Sequence, residues 1–424
     1  MADSALALGP GPGAKVQPSW PEKIVARRVP CRLAALGIVT SLGSDVDANW
    51  ARLCAGDQSR FRARDGFLPD RSLIVAEVQD PLPEIPTTLA AHRCRNNAMS
   101  LAALRPIEPA LDRALAGIDR SRVGVVMGTS TAGAIAVEEA VGRHLARGDF
   151  PDSFHYEQAE FGGTSEFVAA HLGLAGPCYT ISTACSSGAR ALAAARSLLS
   201  LGLCDAVVAG GTDTLCGLVT NGFTALHAVS DRITNPCSAH RSGLTLGEGS
   251  ALFLLTPEEG GIQLRGVGES SEAHHMSAPD PSGRGAETAM RAALADAGVE
   301  PAAIAYLNLH GTGTPQNDSM ECAAVARLFP DGVPCSSTKP IVGHALGAAG
   351  AIEAAVCWLA LSHLDEGRLR PPPHRWDGVR DPELPDLPLV EAGQSISVSG
   401  EALVMTNSFG FGGNNCTLVL GVAP

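Results

Sequence analysis

Cys178-Tyr179-Thr180-Ile181-Ser182-Thr183-Ala184-Cys185-Ser186-Ser187-Gly188 is the stretch from which the rest of the chain can be read. A run of strand-forming residues, Cys178 to Thr183, stops there, and a helix-type sequence, Ser186 to Leu203, begins. That order places Cys185 at the mouth of a helix. The free N–H groups and positive dipole end of a helix favour a thiolate, and the small neighbours Ala184, Ser186 and Gly188 leave room for a substrate to approach. Cys185 is therefore a candidate nucleophile. Taken alone the signal is modest, because a cysteine in an apolar chain is more often a small buried hydrophobe.

Support comes downstream. His310-Gly311-Thr312-Gly313-Thr314-Pro315-Gln316-Asn317-Asp318 follows an apolar strand pattern, Ile304 to Leu309, and Lys339-Pro340-Ile341-Val342-Gly343-His344 opens the next helical segment. Each histidine sits beside glycine, which permits tight turns and close approach of a ligand to the backbone. One cysteine and two histidines in such loops supply a thiol nucleophile and two imidazoles able to hydrogen-bond a carbonyl or handle a proton.

Working outward, the pattern from Cys31 alternates strands and helices. Strand-like Cys31 to Val39, Val123 to Met127, Ala206 to Ala209 and Ala251 to Leu255 are separated by helical Arg95 to Leu115, Thr164 to Leu172 and Ser186 to Leu203. A second series follows: strand-like Ile262 to Val267, helical Gly285 to Ala297, strand Ile304 to Leu309, helical Ser319 to Phe329 and Gly347 to His363, and strands near Glu401 to Met405 and Cys416 to Gly421. Alternation of this kind predicts an α/β protein with parallel sheets covered by helices, and two similar series suggest a duplicated unit. We divide the chain into a loosely ordered extension, 1–30, rich in Gly and Pro; an N-terminal half, 31–260; and a C-terminal half, 261–424.

Composition bounds the function. The 424 residues, 45% hydrophobic and 18% charged, describe a compact globular protein, and a 4% aromatic share with 47 glycines implies cores packed from small residues. A formal net charge of −13 argues against nucleic acid as a partner. The 12 cysteines include no C-x-x-C pair, so reduced thiols in a cytoplasmic protein are expected, with no metal ligated. No segment holds eighteen uninterrupted apolar residues, so no membrane span is expected, nor is a signal peptide.

Jointly, Thr183 to Gly188, Gly222-Phe223-Thr224-Ala225-Leu226, Gly247-Glu248-Gly249, His310 to Asp318, Lys339 to Ala351 and Asn407-Ser408-Phe409-Gly410-Phe411-Gly412-Gly413-Asn414-Asn415 resemble the β-ketoacyl-(acyl carrier protein) synthases of the elongating Cys-His-His type, in the thiolase superfamily. The match runs from about Cys31 to the C-terminus. It implies the five-layer αβαβα thiolase fold with the site between two packed halves. It implies that Cys185 carries an acyl chain as a thioester while His310 and His344 bind the malonyl thioester carbonyl and assist loss of carbon dioxide. The backbone N–H groups of Cys185 and Phe411 would form the oxyanion hole, the Phe411 side chain would gate the pocket, and Lys339 would pair with Glu353 as support. Thr312 and Thr314 would hydrogen-bond the pantetheine arm, with Phe223 and Phe409 also contacting substrate. No intrinsic cofactor is implied; the phosphopantetheine arrives on acyl carrier protein, and the working unit is a homodimer or a heterodimer with a chain-length-factor-like subunit.

Departures from the family pattern concern substrate shape. Where Arg-Pro-Phe-Asp and Arg-Asp-Gly-Phe are frequent, this chain has Asn235-Pro236-Cys237-Ser238 and Arg241-Ser242-Gly243-Leu244. Arg64-Asp65-Gly66-Phe67-Leu68-Pro69 and Arg93-Cys94-Arg95-Asn96-Asn97 look more like ketosynthases of bacterial aryl-polyene pathways. A degradative thiolase would carry a second cysteine in a Cys-x-Gly motif, and an initiating Cys-His-Asn synthase would lack the second histidine. The alternative from a different class is a non-catalytic chain-length-factor-like subunit; such subunits lack the nucleophile that this chain has.

Overall fold

The computed structural model describes residues 29–69 and 71–423, so most of the proposed extension 1–30 lies outside the described residues. In chain order the strands are β1 (Arg32–Val39), β2 (Arg62–Arg64), β3 (Leu73–Val75), β4 (Val123–Gly128), β5 (Cys178–Ile181), β6 (Ala206–Asp213), β7 (Gly249–Thr256), β8 (Ile262–Ser271), β9 (Ile304–Asn308), β10 (Cys335–Ser336), β11 (Arg368–Leu369), β12 (Ile396–Ser397), β13 (Ala402–Gly410) and β14 (Asn414–Val422). The helices are α1 (Val46–Ala55), α2 (Arg95–Leu104), α3 (Glu108–Ala114), α4 (Ala134–Arg147), α5 (Gly162–Leu172), α6 (Ser187–Ser200), α7 (Gly217–Ala225), α8 (Arg284–Ala297), α9 (Pro315–Leu328), α10 (Lys339–Val342) and α11 (Ala349–Ser362).

Ten strands pair in the order β10-β9-β13-β14-β8-β1-β7-β6-β4-β5. The two ends of that order are copies of one plan. From its edge, the first half runs β5-β4-β6 in parallel and then β6-β7-β1 antiparallel. The second runs β10-β9-β13 in parallel and then β13-β14-β8 antiparallel. Among the described residues the halves meet at one strand pairing, Arg32 with Gln263. The duplication inferred from two similar series is thus a duplication of topology. Each sheet half is mixed, which corrects the expectation of purely parallel sheets: β14 returns from β13 through the short turn 411–413 and so runs antiparallel, and β7 runs antiparallel to β6 although α7 lies in the connection between them.

Between the halves, α6 and α11 pack on each other, and each touches strands of both halves. Outside them α2 and α5 cover one half, and α8, with α9 packed on it, covers the other. This is the five-layer αβαβα arrangement. Alanines make the middle layer thin: Ala189, Ala191 and Ala195 of α6 and Ala351, Ala354 and Ala355 of α11 are all buried in one apolar core. Small side chains let helix axes approach closely, and that closeness brings the starts of the two helices together at the site.

A second correction concerns the helix expected from Arg95 to Leu115. It is two helices, α2 and α3, with the break at Arg105–Ile107. Pro106 has no N–H to donate to a continuing helix and crowds the preceding turn.

Candidate active site

Cys185 lies between the end of β5 at Ile181 and Ser186, the N-cap of α6. Hydroxyls hold this bend. Ser187 Oγ accepts the Thr183 N–H at 2.9 Å and donates to the Ala184 carbonyl at 2.6 Å, while Ser186 Oγ donates to the Thr183 carbonyl at 2.9 Å. Together they hold Ala184 at φ +54°, a left-handed conformation that alanine rarely adopts. Strain of this kind persists only where the surroundings impose it. Its result is a thiol aimed out of the turn, with Nε2 of His344 3.2 Å from the sulfur. Burial pushes the Cys185 pKa up to about 12, while the charge of Lys339 and the backbone N–H of Phe411 pull it the other way. The easily ionised thiol expected at a helix mouth therefore sits in a strongly desolvated place.

His310 is fixed through its backbone and its ring. Its own N–H and that of Gly311 donate to the two oxygens of Glu321 at 2.8 and 2.7 Å. On the ring, Lys339 Nζ stands 3.3 Å from Nδ1, and it also donates to the His310 carbonyl and pairs with Glu353. An ammonium has only protons to give, so Nδ1 is the acceptor and the ring proton of His310 is on Nε2. Burial, Lys339 and His344 hold the His310 pKa well below that of free histidine, and burial and Lys339 do the same to His344. Both imidazoles are neutral near pH 7. Glu353 lies in a site that raises its pKa to about 7 by desolvation, against the attraction of Lys339.

The rings of His310 and His344 meet edge to face, 5.3 Å between centres. Along with Cys185 they line a cavity of about 150 Å³ whose wall also includes Phe223, Leu244, Thr312, Thr314, Phe409 and Phe411. Every residue expected from sequence to touch substrate is on this wall, whereas Lys339 and Glu353 stand behind it. Thr312 and Thr314 share a hydroxyl–hydroxyl hydrogen bond of 2.9 Å. Between them Gly313 has φ +80°, and a Cβ there would sit 2.1 Å from Thr234 Oγ1, so no other residue fits this turn. Gly410 approaches the Thr183 carbonyl so closely that a Cβ would lie 2.7 Å from it. This contact carries the Phe411 N–H to the Cys185 sulfur. The Phe411 ring stacks on Phe223 with centres 5.2 Å apart. The loop is less free than its glycines suggest, because the Gly412 N–H donates to the Met276 carbonyl at 2.8 Å.

The sulfur of Cys185 and ring nitrogens of His310 and His344 all lie within 4.8 Å of one another, a spacing that could also suit a soft cation. The Lys339 ammonium packed behind His310 opposes a second positive charge there. As an acid–base set the trio can attack a thioester, donate two N–H groups to a carbonyl oxygen and stabilise the negative charge that develops on it.

Sequence reasoning passed over four buried carboxylates. Glu321 anchors His310, and Asp318 accepts the N–H groups of Gly313 and Cys237 at 3.1 and 2.9 Å. Asp213 takes the N–H groups of Ser130, Thr131 and Gly347, tying the segment after His344 to the N-terminal half. Glu248 binds Arg95 and the N–H of Val78. Asp318 and Glu248 lie inside motifs quoted from the sequence; Glu321, one turn of helix after Asn317, could have been found by helical spacing. Arg60 pairs with Asp80 and Arg64 with Glu77, so their charge is largely met within the protein.

Residues 33–260 match the Beta-ketoacyl synthase, N-terminal domain, and residues 262–365 the Beta-ketoacyl synthase, C-terminal domain. The 3-oxoacyl-[acyl-carrier-protein] synthase 2 of Coxiella burnetii is 32% identical over 416 residues, 92% of this chain and 97% of that protein. Among solved structures, a ketosynthase (ApeO) in complex with its chain length factor (ApeC) from Xenorhabdus doucetiae is 43% identical, with TM-score 0.88 over 93% of this chain and 98% of that one. A beta-ketoacyl synthase from Burkholderia phymatum STM815 is 29% identical, with TM-score 0.80 over 93% and 100%. With both domains matched in order and near full-length relatives, the chain belongs to the β-ketoacyl synthase family.

Proposed function

We propose that this protein is a 3-oxoacyl-(acyl carrier protein) synthase that joins an acyl group held on Cys185 to malonyl carrier with loss of carbon dioxide. The observation that carries this reading is the placement of Cys185, His344 and His310 on one cavity wall. In loading, the Cys185 sulfur attacks the acyl thioester; its proton leaves as the S–C bond forms, and Nε2 of His344, 3.2 Å away, is the group within reach of it. The backbone N–H groups of Cys185 and Phe411 receive the oxyanion; as it collapses, the C–S bond to the carrier breaks and the departing sulfur takes up the proton that left Cys185, so the carrier leaves as its thiol.

In condensation the malonyl thioester carbonyl lies between the two imidazoles. Nε2–H of His310 donates to it, a role fixed by Lys339 on the opposite nitrogen. As the carboxylate leaves as carbon dioxide, the electrons of the broken C–C bond pass into an enolate whose oxygen these donors stabilise. The enolate carbon then attacks the acyl carbonyl on Cys185, expelling the thiolate and leaving a 3-oxoacyl chain on the carrier. Thr312 and Thr314 line the approach, where their hydroxyls suit the amides of a phosphopantetheine arm delivered by acyl carrier protein.

The pathway we infer is of the aryl-polyene type, on the strength of the 43% identity to the Xenorhabdus doucetiae ketosynthase. That protein is in complex with its chain length factor, and we infer a comparable partner here, a homodimer being the other assembly. Among the described residues no helix is long and apolar enough to cross a membrane; the scattered reduced thiols favour the cytoplasm.

The test is direct. Incubation with acyl carrier substrate should raise the intact mass by one acyl group on Cys185, and addition of malonyl carrier should discharge it as a 3-oxoacyl product. Acylation of another cysteine at equal rate, or loading without carbon dioxide release, would sink the reading.

A further inference from the structure

Cys237 and Cys322 belong to different halves of the chain, yet their sulfurs are 3.7 Å apart. Neither has a part in the chemistry proposed above. Cys237 lies in the connection between α7 and β7, in the left-handed region at φ +62°, and Cys322 is on α9. Both are buried, but they form part of the wall of a cleft of about 190 Å³, together with Trp376, Arg380, Leu384 and Leu387, so a small solute can reach the pair.

We propose that Cys237 and Cys322 form an oxidation site: a hydroperoxide converts the two thiols to a disulfide that ties the α7–β7 connection to α9 and slows condensation. The first step breaks the O–O bond of the peroxide. One thiol gains an S–O bond and becomes a sulfenic acid, and water or an alcohol leaves. The facing thiol then attacks that sulfur, an S–S bond forms and a second water departs; two thiols are oxidised and one peroxide is reduced. The S–H···S contact with Cys322, together with burial, raises the Cys237 pKa, which makes the first step slow. The second is fast, because the resolving thiol is already in contact.

The link to the active site is structural. A disulfide needs the sulfurs at about 2.05 Å, so they must close by roughly 1.7 Å. The Cys237 N–H is held by Asp318 Oδ2, and the other oxygen of that carboxylate holds the Gly313 N–H. Thr234, three residues before Cys237, donates to the Thr312 carbonyl at 2.6 Å. Glu321, which precedes Cys322, carries the His310 and Gly311 N–H groups. Movement of either cysteine therefore pulls on the turn 310–314 that receives the malonyl arm. Acyl loading, which needs Cys185 and the Phe411 N–H, is spared.

The experiment uses enzyme preloaded with an acyl group, so that Cys185 is masked as a thioester; this arm rests on the function proposed above. Enzyme is exposed to hydrogen peroxide, free thiols are alkylated, and peptides are mapped without reduction. We expect a peptide pair linked through Cys237 and Cys322, lighter by two hydrogens. Discharge of the preloaded acyl group onto malonyl carrier should slow roughly tenfold or more, as ångström-scale displacement of positioning groups does, and recover with dithiothreitol. Cys237→Ser and Cys322→Ala should each keep their untreated rate after peroxide. Absence of the linked pair, linkage of Cys322 to Cys335 instead, an unchanged rate in the linked enzyme, or equal slowing in both variants would each overturn the proposal. Peptide mapping does not depend on activity, so its failure is distinguishable from failure of the ketosynthase reading.

Discussion

Lys339 Nζ stands 3.3 Å from Nδ1 of His310, and on its other side it is paired with the buried carboxylate of Glu353. One ammonium thus decides the tautomer of a histidine it flanks, and a carboxylate decides that the ammonium can be buried at all. Lys339 is one of only three lysines in an otherwise arginine-rich chain. A compact ammonium fits between a ring nitrogen, a backbone carbonyl and a carboxylate, where a planar guanidinium would not.

Removing only one partner would leave an unpaired buried charge and destabilise the fold, so Lys339 and Glu353 should be replaced together. In Lys339→Met with Glu353→Gln, the Nε2–H tautomer of His310 is no longer enforced. Carbon dioxide release from malonyl carrier should fall about 10²-fold, while acyl transfer to Cys185 keeps most of its rate. Equal losses in the two half-reactions would mean that the pair only supports the fold.

Much of this arrangement was legible in the chain, and the reasons differ from part to part. The strand-to-helix change at Cys185 was readable because β5 and α6 have unlike periodicities, and the turn of His310 because its glycines punctuate it. Helix α4 was missed: its residues are mostly exposed, with Ala140 its only fully buried position, although Val137, Val141 and Leu145 recur at helical spacing. The mixed strand directions were hidden too, since a buried antiparallel strand such as Gly249–Thr256 reads as the same apolar run as a parallel one. Asp213 escaped notice because its meaning lies in which backbone N–H groups it accepts, and these come from segments more than 80 residues away in the chain, as does the Cys237 N–H that Asp318 accepts.

His310 and His344 should separate the half-reactions in the same direction. Either histidine replaced by Ala should cut carbon dioxide release ~10²-fold or more by removing an oriented donor to the enolate oxygen. For His310→Ala, loading of Cys185 should be nearly unchanged. Loading by His344→Ala should slow as well, since its Nε2 is the one in contact with the sulfur. Carbon dioxide release at the wild-type rate in both variants would remove them from the mechanism.

Both histidines also make stability depend on pH. Their folded pKa values lie well below the unfolded value of about 6.5, so below pH 6.5 the unfolded chain binds protons that the folded one refuses. Their contribution is complete above pH 6.5 and is lost as pH falls toward the folded values, by up to about 1.4 kcal/mol per histidine per pH unit. Urea midpoints at pH 7.0 and 5.5 should therefore differ more in the wild type than in a His310→Asn, His344→Asn double variant. Identical shifts would mean that the two rings are protonated in the folded protein.

Phe411 contributes two separable groups, a backbone N–H beside the Cys185 sulfur and a ring stacked on Phe223. Phe411→Ala keeps the first and deletes the second, so the chemistry should survive, with loading within a few-fold of wild type. What should change is selection: without the ring, the cavity beside Cys185 is wider, so substrates should enter in a less strict order and the spread of chain lengths should widen. The hydrogen bond from Gly412 to the Met276 carbonyl limits how far the loop can swing while that bond lasts. A moving gate must break it, so in wild-type enzyme the Gly412 amide should exchange its hydrogen faster once acyl substrate is present. Product profiles of wild type and Phe411→Ala across a series of acyl carriers decide between a gate and a wall. Identical length distributions, with no change in Gly412 exchange on loading, would make Phe411 a fixed packing residue whose only service to the reaction is its backbone.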